Sequence, residues 1–123
     1  MADIQRVIVT ARYADGVLSE LRRLAHVDVH SDPYHPKPRE EVISDLSDVC
    51  AIINQGELGV DEDLLSSAPA LQIVANASVG FDKLDVDRMA SYGVWATNVP
   101  NVYHEPVAEY VFATVGTLFR RIR

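Results

Sequence analysis

Five short runs of β-branched and other apolar residues punctuate this chain, each followed by a stretch with helical spacing, and that alternation leaves few folds open. Val7-Ile8-Val9-Thr10 reads as a buried strand, because a continuous apolar run suits a sheet covered on both faces. A helix follows from about Ala14 to Ala25, with Val17, Leu18, Leu21 and Leu24 on one side. Val27-Asp28-Val29-His30 is a second, weaker strand. Three prolines make Ser31 through Pro38 a loop, and Pro38 suits the first position of a helix whose apolar face is Val42, Ile43 and Leu46. Cys50-Ala51-Ile52-Ile53 is a third strand, running out at Asn54-Gln55-Gly56. Asp61 can cap a short helix through Leu64 and Leu65, which Pro69 stops. Leu71 through Ala75 is a fourth strand, and Asp85 can cap a helix to about Tyr92, where Gly93 suits a left-handed end. Val94 through Thr97 is a fifth strand in which Trp95 reads as core, and a loop through Pro100 leads to a last helix from about Glu105 to Ile122.

Strands separated by helices imply an α/β fold: a flavodoxin-like, five-stranded parallel sheet with helices on both faces, plus a C-terminal linking helix. Residues 1–101 would form the domain and residues 102–123 the linking helix. Such sheets bind ligands at the carboxyl ends of their strands. That rule points to Asn54-Gln55-Gly56, to Asn76 through Gly80, and to Asn98 through His104. The last helix asks for more than one partner. Val107, Val111, Val115, Leu118 and Phe119 form a stripe that Ala108, Tyr110 and Phe112 widen to much of the circumference. A small domain covers one side only, so chain beyond Arg123 or a second copy should cover the other.

The net charge of −7 argues against a nucleic-acid or anionic-membrane partner, because no basic excess exists to displace counterions. The single cysteine, Cys50, lies in an apolar run and reads as a strand residue rather than a nucleophile. One cysteine allows no disulfide within the chain, so a cytoplasmic setting is expected; no apolar run approaches the roughly 20 residues of a membrane span, and Met1 through Arg6 carry no secretory signal. His26 and His30 fall across a turn and a strand, which does not favour zinc, and no metal site is expected. Asp82, Asp85 and Asp87 are explained by helix capping and first-turn charge.

The chemistry-bearing loop is Asn76-Ala77-Ser78-Val79-Gly80-Phe81-Asp82, between a strand and a helix. Successive N–H groups in such a turn can converge on an anion. Gly80 lets a ligand approach the backbone, and Ser78 can add a hydroxyl donor. A small carboxylate is the expected guest. The alternative is an ordinary turn in which Gly80 serves only its dihedrals.

The run Val74-Ala75-Asn76-Ala77-Ser78-Val79-Gly80-Phe81-Asp82-Lys83-Leu84-Asp85 resembles the substrate loop of D-isomer-specific 2-hydroxyacid dehydrogenases. Gly93 through Val102, then Pro106-Val107-Ala108-Glu109-Tyr110 and a helix ending Leu118-Phe119-Arg120-Arg121, resemble the same family at its own spacing. The nearest subgroup is that of glyoxylate, hydroxypyruvate and hydroxyphenylpyruvate reductases. The resemblance implies that Val79 and Gly80 offer N–H groups to the carboxylate of a 2-oxo acid, with Ser78 beside them. It places Asn54 and Gln55 around the substrate's side chain, and Tyr103 and His104 near the nicotinamide and the cleft mouth. His104 stands where that subgroup has a threonine. The implied reaction is hydride transfer from NAD(P)H to a 2-oxo acid, giving a D-2-hydroxy acid.

The family holds NAD or NADP on a G-x-G-x-x-G turn, and no three of Gly16, Gly56, Gly59, Gly80, Gly93 and Gly116 have that spacing. The family's carboxylate-gripping arginine and its histidine–acid pair lie further along than this sequence reaches. Arg120 and Arg121 match the end of the linking helix instead. The expectation is a substrate-binding portion with no catalytic residue of its own, inactive alone and holding no cofactor, its helix 105–122 pairing two copies. A non-catalytic module that binds small carboxylates, or one that only dimerises, is the alternative.

Overall fold

Parallel pairing needs a crossover between every two strands, and the sequence supplies a helix at each. The computed structural model describes residues 5–14 and 16–122, so Met1–Ile4, Asp15 of the expected first helix and Arg123 lie outside the described residues. The order is β1 (Arg6–Val9), α1 (Ser19–Leu24), β2 (His26–Val29), α2 (Arg39–Ile43), β3 (Val49–Asn54), α3 (Glu62–Ser66), β4 (Ile73–Asn76), α4 (Val86–Ser91), β5 (Trp95–Thr97) and α5 (His104–Arg120). All five strands run parallel, in the order β2-β1-β3-β4-β5. This is the flavodoxin-like arrangement. Ile8, Ile52 and Val74 of the three inner strands are fully buried, as are Val42, Leu64 and Met89 from the helices that cover them.

Local signals account for the element ends. The Asp61 carboxylate accepts from the Leu64 N–H at 3.2 Å, and that of Asp85 accepts from the Arg88 N–H at 3.0 Å. Gly93 closes α4 with a φ of +71°. At the amino ends of the strands, Arg6 donates to Asp28 at 2.7 Å, Asp45 at 2.8 Å and Asp48 at 2.8 Å, tying β1 to β2 and to the connection before β3.

Three expectations need correction. The first helix is shorter than its periodicity suggests, because the chain turns through Gly16 with a φ of +91° before α1 begins. Of its supposed apolar face only Leu18 is buried, while Val17 and Leu24 are exposed. Trp95, read as core, is 75% exposed, since β5 is an edge strand and only the Ala96 side packs inward. Helix α5 has no buried residue, and Tyr110, Phe112, Leu118 and Phe119 are all exposed. Among the described residues no helix is long and apolar enough to cross a membrane, and no cluster of three metal-binding side chains occurs.

Candidate functional site

The carboxyl ends of β3 and β4 lie side by side, with Asn54 opposite Asn76. Both side chains are buried. A buried carboxamide must spend its donors and acceptors on the protein. The Asn54 amide nitrogen donates to the Asn76 side-chain oxygen at 3.0 Å and to the Leu58 carbonyl at 3.1 Å. Its oxygen accepts from the Gly56 and Leu58 N–H groups, both at 3.1 Å. Asn76 then donates to Ser78 Oγ at 2.8 Å and to the Gly80 carbonyl at 2.6 Å.

Those bonds orient the loop that follows. The Gly80 carbonyl also accepts from Ser78 Oγ at 2.9 Å. The Val79 carbonyl accepts from the Asn98 amide at 2.8 Å, and the Ser78 carbonyl from the Val99 N–H at 3.0 Å. Three successive carbonyls are thus held by donors of the protein itself. In a planar trans peptide the next residue's N–H points opposite to the carbonyl. The N–H groups of Val79, Gly80 and Phe81 therefore each face away from the donor that anchors the preceding carbonyl. None of the three donates a hydrogen bond among the described residues. Val79 is half-buried and Gly80 exposed, so these donors meet solvent or a ligand. Amides fixed in advance at an anion's position need little reorganisation to bind it.

Beside the loop, Phe81, Leu84, Val86, Ala96, Thr97 and Asn98 line an apolar recess of about 190 Å³. A second cleft of about 290 Å³ lies at the carboxyl ends of β1, β2 and β3, with Arg12, Asp32, Tyr34, His35, Gln55 and Glu57 in its walls. Glu57 accepts from the buried Thr10 hydroxyl. The neighbouring Tyr13 hydroxyl is buried; burial pushes this phenol's pKa up against the opposing pull of the Gln55 side chain, and the Glu57 charge adds to the rise.

The residues singled out in the sequence are distributed unevenly around this geometry. Val79 and Gly80 present free amides, and Gln55 lines the second cleft. Asn54, expected around a ligand's side chain, is fully buried with its carboxamide used by its own turn and by Asn76. Ser78, expected as a donor to the ligand, spends its hydroxyl proton on the Gly80 carbonyl. Tyr103 and His104 are exposed at the start of α5, and no hydrogen bond joins them to the loop among the described residues. Sequence reasoning passed over Asn98 as an anchor, and Arg12 altogether. Arg12 lies three residues beyond the end of β1, so the carboxyl-end rule, applied to that strand too, points to it.

Among the described residues, the turn nearest in sequence to a dinucleotide's pyrophosphate turn has its N–H groups occupied. Asn54-Gln55-Gly56-Glu57-Leu58-Gly59 comes nearest to a pyrophosphate turn, but the Asn54 side chain already occupies the Gly56 and Leu58 N–H groups.

Comparison with known proteins agrees with this reading of the fold. The model of the D-isomer specific 2-hydroxyacid dehydrogenase catalytic domain matches residues 7–123. The glyoxylate reductase of Aeropyrum pernix is 37% identical over 117 residues, covering 95% of this chain, and that of Thermofilum pendens is 30% identical over the same span. A Thermus thermophilus protein of known structure superposes with a TM-score of 0.84 at 28% identity, over 96% of this chain and 38% of its own. An NADPH-dependent glyoxylate/hydroxypyruvate reductase from Sinorhizobium meliloti, solved with NADP and malonate, gives 0.65 at 27% identity, over 94% of this chain and 34% of its own. The chain spans about a third of the curated relatives it matches, 35% of the Aeropyrum pernix protein and 34% of the Thermofilum pendens one. With its strands, its loop and nearly its whole length aligned to one family, the chain belongs to the D-isomer-specific 2-hydroxyacid dehydrogenases.

Proposed function

We propose that this chain is the substrate-binding portion of an NAD(P)-dependent D-2-hydroxyacid dehydrogenase that reduces small 2-oxo acids of the glyoxylate type. Residues 1–101 would be the substrate domain, and residues 102–123 the helix that links it to the part holding NAD or NADP. The observation that carries the reading is the row of outward amides at Val79 and Gly80, each fixed by a carbonyl anchored on the far side of its peptide. A carboxylate resting there is oriented by neutral donors, and orientation is this domain's share of the catalysis. The glyoxylate reductases among its relatives support the substrate class, and the NADP complex of the Sinorhizobium meliloti enzyme supports the cofactor.

The test is an amide-resolved NMR titration of the 123-residue protein with glyoxylate. The Val79 and Gly80 resonances should move together and saturate, with a Kd of roughly millimolar, about −4 kcal/mol. Saturable binding that leaves both resonances in place would refute the reading. The same protein should give no NADH-dependent reduction of glyoxylate, since no G-x-G-x-x-G spacing occurs in its sequence.

Helix α5 supports a second element of the proposal, a homodimer. Val107, Val111, Val115 and Phe119 lie on one side of a helix none of whose residues is buried. An apolar stripe of that size is costly in water and is relieved when a second copy covers it.

A further inference from the structure

We propose that Asn98 is a positioning residue of the carboxylate site, and that it and the Val99 N–H pass occupancy of the amides on to the connector leading into α5. This rests on the carboxylate reading of Val79 and Gly80 and adds how that site is held and what it controls. Each of the two amides belongs to a peptide that is hydrogen-bonded at its other end. The Val79 N–H shares its peptide with the Ser78 carbonyl, which accepts from the Val99 N–H at 3.0 Å. The Gly80 N–H shares its peptide with the Val79 carbonyl, which accepts from the Asn98 amide at 2.8 Å. Two consecutive peptides thus run from open donors at one end to two consecutive residues at the other. Asn98 itself stands behind the amides, on the carbonyl side, away from a ligand resting on them. The Gly80 carbonyl is held instead by Asn76 and Ser78, within the loop's own stretch of chain, so the link to α5 rests on these two peptides.

A peptide group is polarised as a unit. When its N–H donates to an anion, electron density moves toward its oxygen, which then accepts more strongly. A carboxylate on the Val79 and Gly80 amides therefore tightens the bonds that Val99 and Asn98 make to the two carbonyls. The same donors make the two N–H groups better partners for an anion before any ligand arrives. What these bonds secure is the start of the connector. Pro100 and Asn101, the latter with a φ of +65°, turn the chain from the anchored pair toward α5, and α5 has no buried residue. The helix is joined to the sheet through residues 98–103, and the first two of these are the ones that the ligand engages through the peptides. By reciprocity, whatever fixes the connector favours the carboxylate to the same degree.

An NMR titration of the unaltered 123-residue protein with glyoxylate reads this directly. The scalar coupling across the hydrogen bond from Asn98 Nδ2 to the Val79 carbonyl carbon should grow by roughly a tenth to a third as the site fills. The bonded Asn98 amide proton and the Val99 N–H should move downfield with the same midpoint as Val79 and Gly80. Asn98→Leu, similar in size but without a donor, should weaken glyoxylate about fivefold, and Asn98→Ala, which only trims the side chain, should do the same. A purely structural Asn98 would lower stability in those variants and keep its coupling constant when glyoxylate is added to the unaltered protein. That constancy, or full affinity in either folded variant, would overturn the proposal. If Val79 and Gly80 move while Asn98 and Val99 stay in place, the relay fails and the carboxylate reading stands. If none of the four moves, both fall together.

Discussion

Replacing the Asn76 amide nitrogen by oxygen alters one atom and two bonds, because that nitrogen donates to both the Gly80 carbonyl and Ser78 Oγ. In Asn76→Asp an acceptor would face the Gly80 carbonyl, and a buried charge would sit behind the loop. The expected loss is about 2–3 kcal/mol in urea denaturation at neutral pH, with weaker binding of any carboxylate. Unchanged stability would mean that Asn98 and Ser78 hold the loop without it. Gly56 is constrained twice, by a φ of +102° and by its approach to Ser78 Oγ. Gly56→Ala should cost about 2 kcal/mol, and in Gly56→Ala/Ser78→Ala only the contact part should return, leaving the backbone strain. Full recovery in the double variant would show that the dihedral carries no strain. At this scale the sequence revealed the loop but not its polarity. A strand–loop–helix with Gly80 was visible, yet which side of each peptide faces outward is decided by Asn98 and Val99 at the end of another strand. The burial of Asn54 was hidden for the same reason, since its partner Asn76 lies on the adjacent strand and spacing along one chain does not show it.

Among the elements, the strands were the most legible. Continuous apolar runs suit only a sheet buried on both faces, and all five runs pair in parallel. The helices were less so, because α1 through α4 span only five or six residues each and are fixed by caps and tertiary contact more than by periodicity. Asp61 and Asp85 were visible caps, whereas nothing local shows that the chain delays α1 by turning at Gly16. Exposure on β5 was hidden as well, since a tryptophan in a strand reads as core until the strand is known to be an edge. Helix α5 behaves as a separate element, and its substitution should be felt by assembly rather than by folding. Val111→Lys with Phe119→Lys should shift sedimentation toward a monomer while the unfolding free energy changes by no more than about 0.5 kcal/mol, the usual range for exposed positions. A large loss of stability in that variant would mean the helix packs on its own domain in solution.

Across the whole molecule the charges divide between the two ends of the sheet. The carboxyl ends carry the open amides and a cleft whose wall holds Arg12, Asp32 and Glu57, while at the amino ends Arg6 sits among Asp28, Asp45 and Asp48, with Lys37 also reaching Asp45 at 3.4 Å. The Arg6 hydrogen bond, helped by Lys37, holds the Asp45 carboxyl below its ordinary pKa. A depressed carboxylate contributes stability that is fully present above its unfolded value, near 3.9, and lost as the pH falls through the lower folded value. Arg6→Met removes the cation and leaves three carboxylates to repel one another in an already acidic chain. Asp45 and Asp48 are more than a third exposed, so water screens much of the attraction, and the cost at pH 7 should be about 1–2 kcal/mol. The difference between the two proteins should hold from pH 7 down to about 4 and shrink below it, as Asp45 takes up its proton. Added salt should narrow it at neutral pH, because the screening length falls from about 10 Å at 0.1 M to about 3 Å at 1 M, near the contact distance of exposed pairs. The cluster and the amide loop lie at opposite ends of the same sheet, on different strands, so Arg6→Met should leave the glyoxylate-induced shifts of Val79 and Gly80 as they are. Stability losses that persist unchanged at pH 2 would instead assign Arg6 a packing role, and altered amide shifts would show that the two ends of the sheet are coupled.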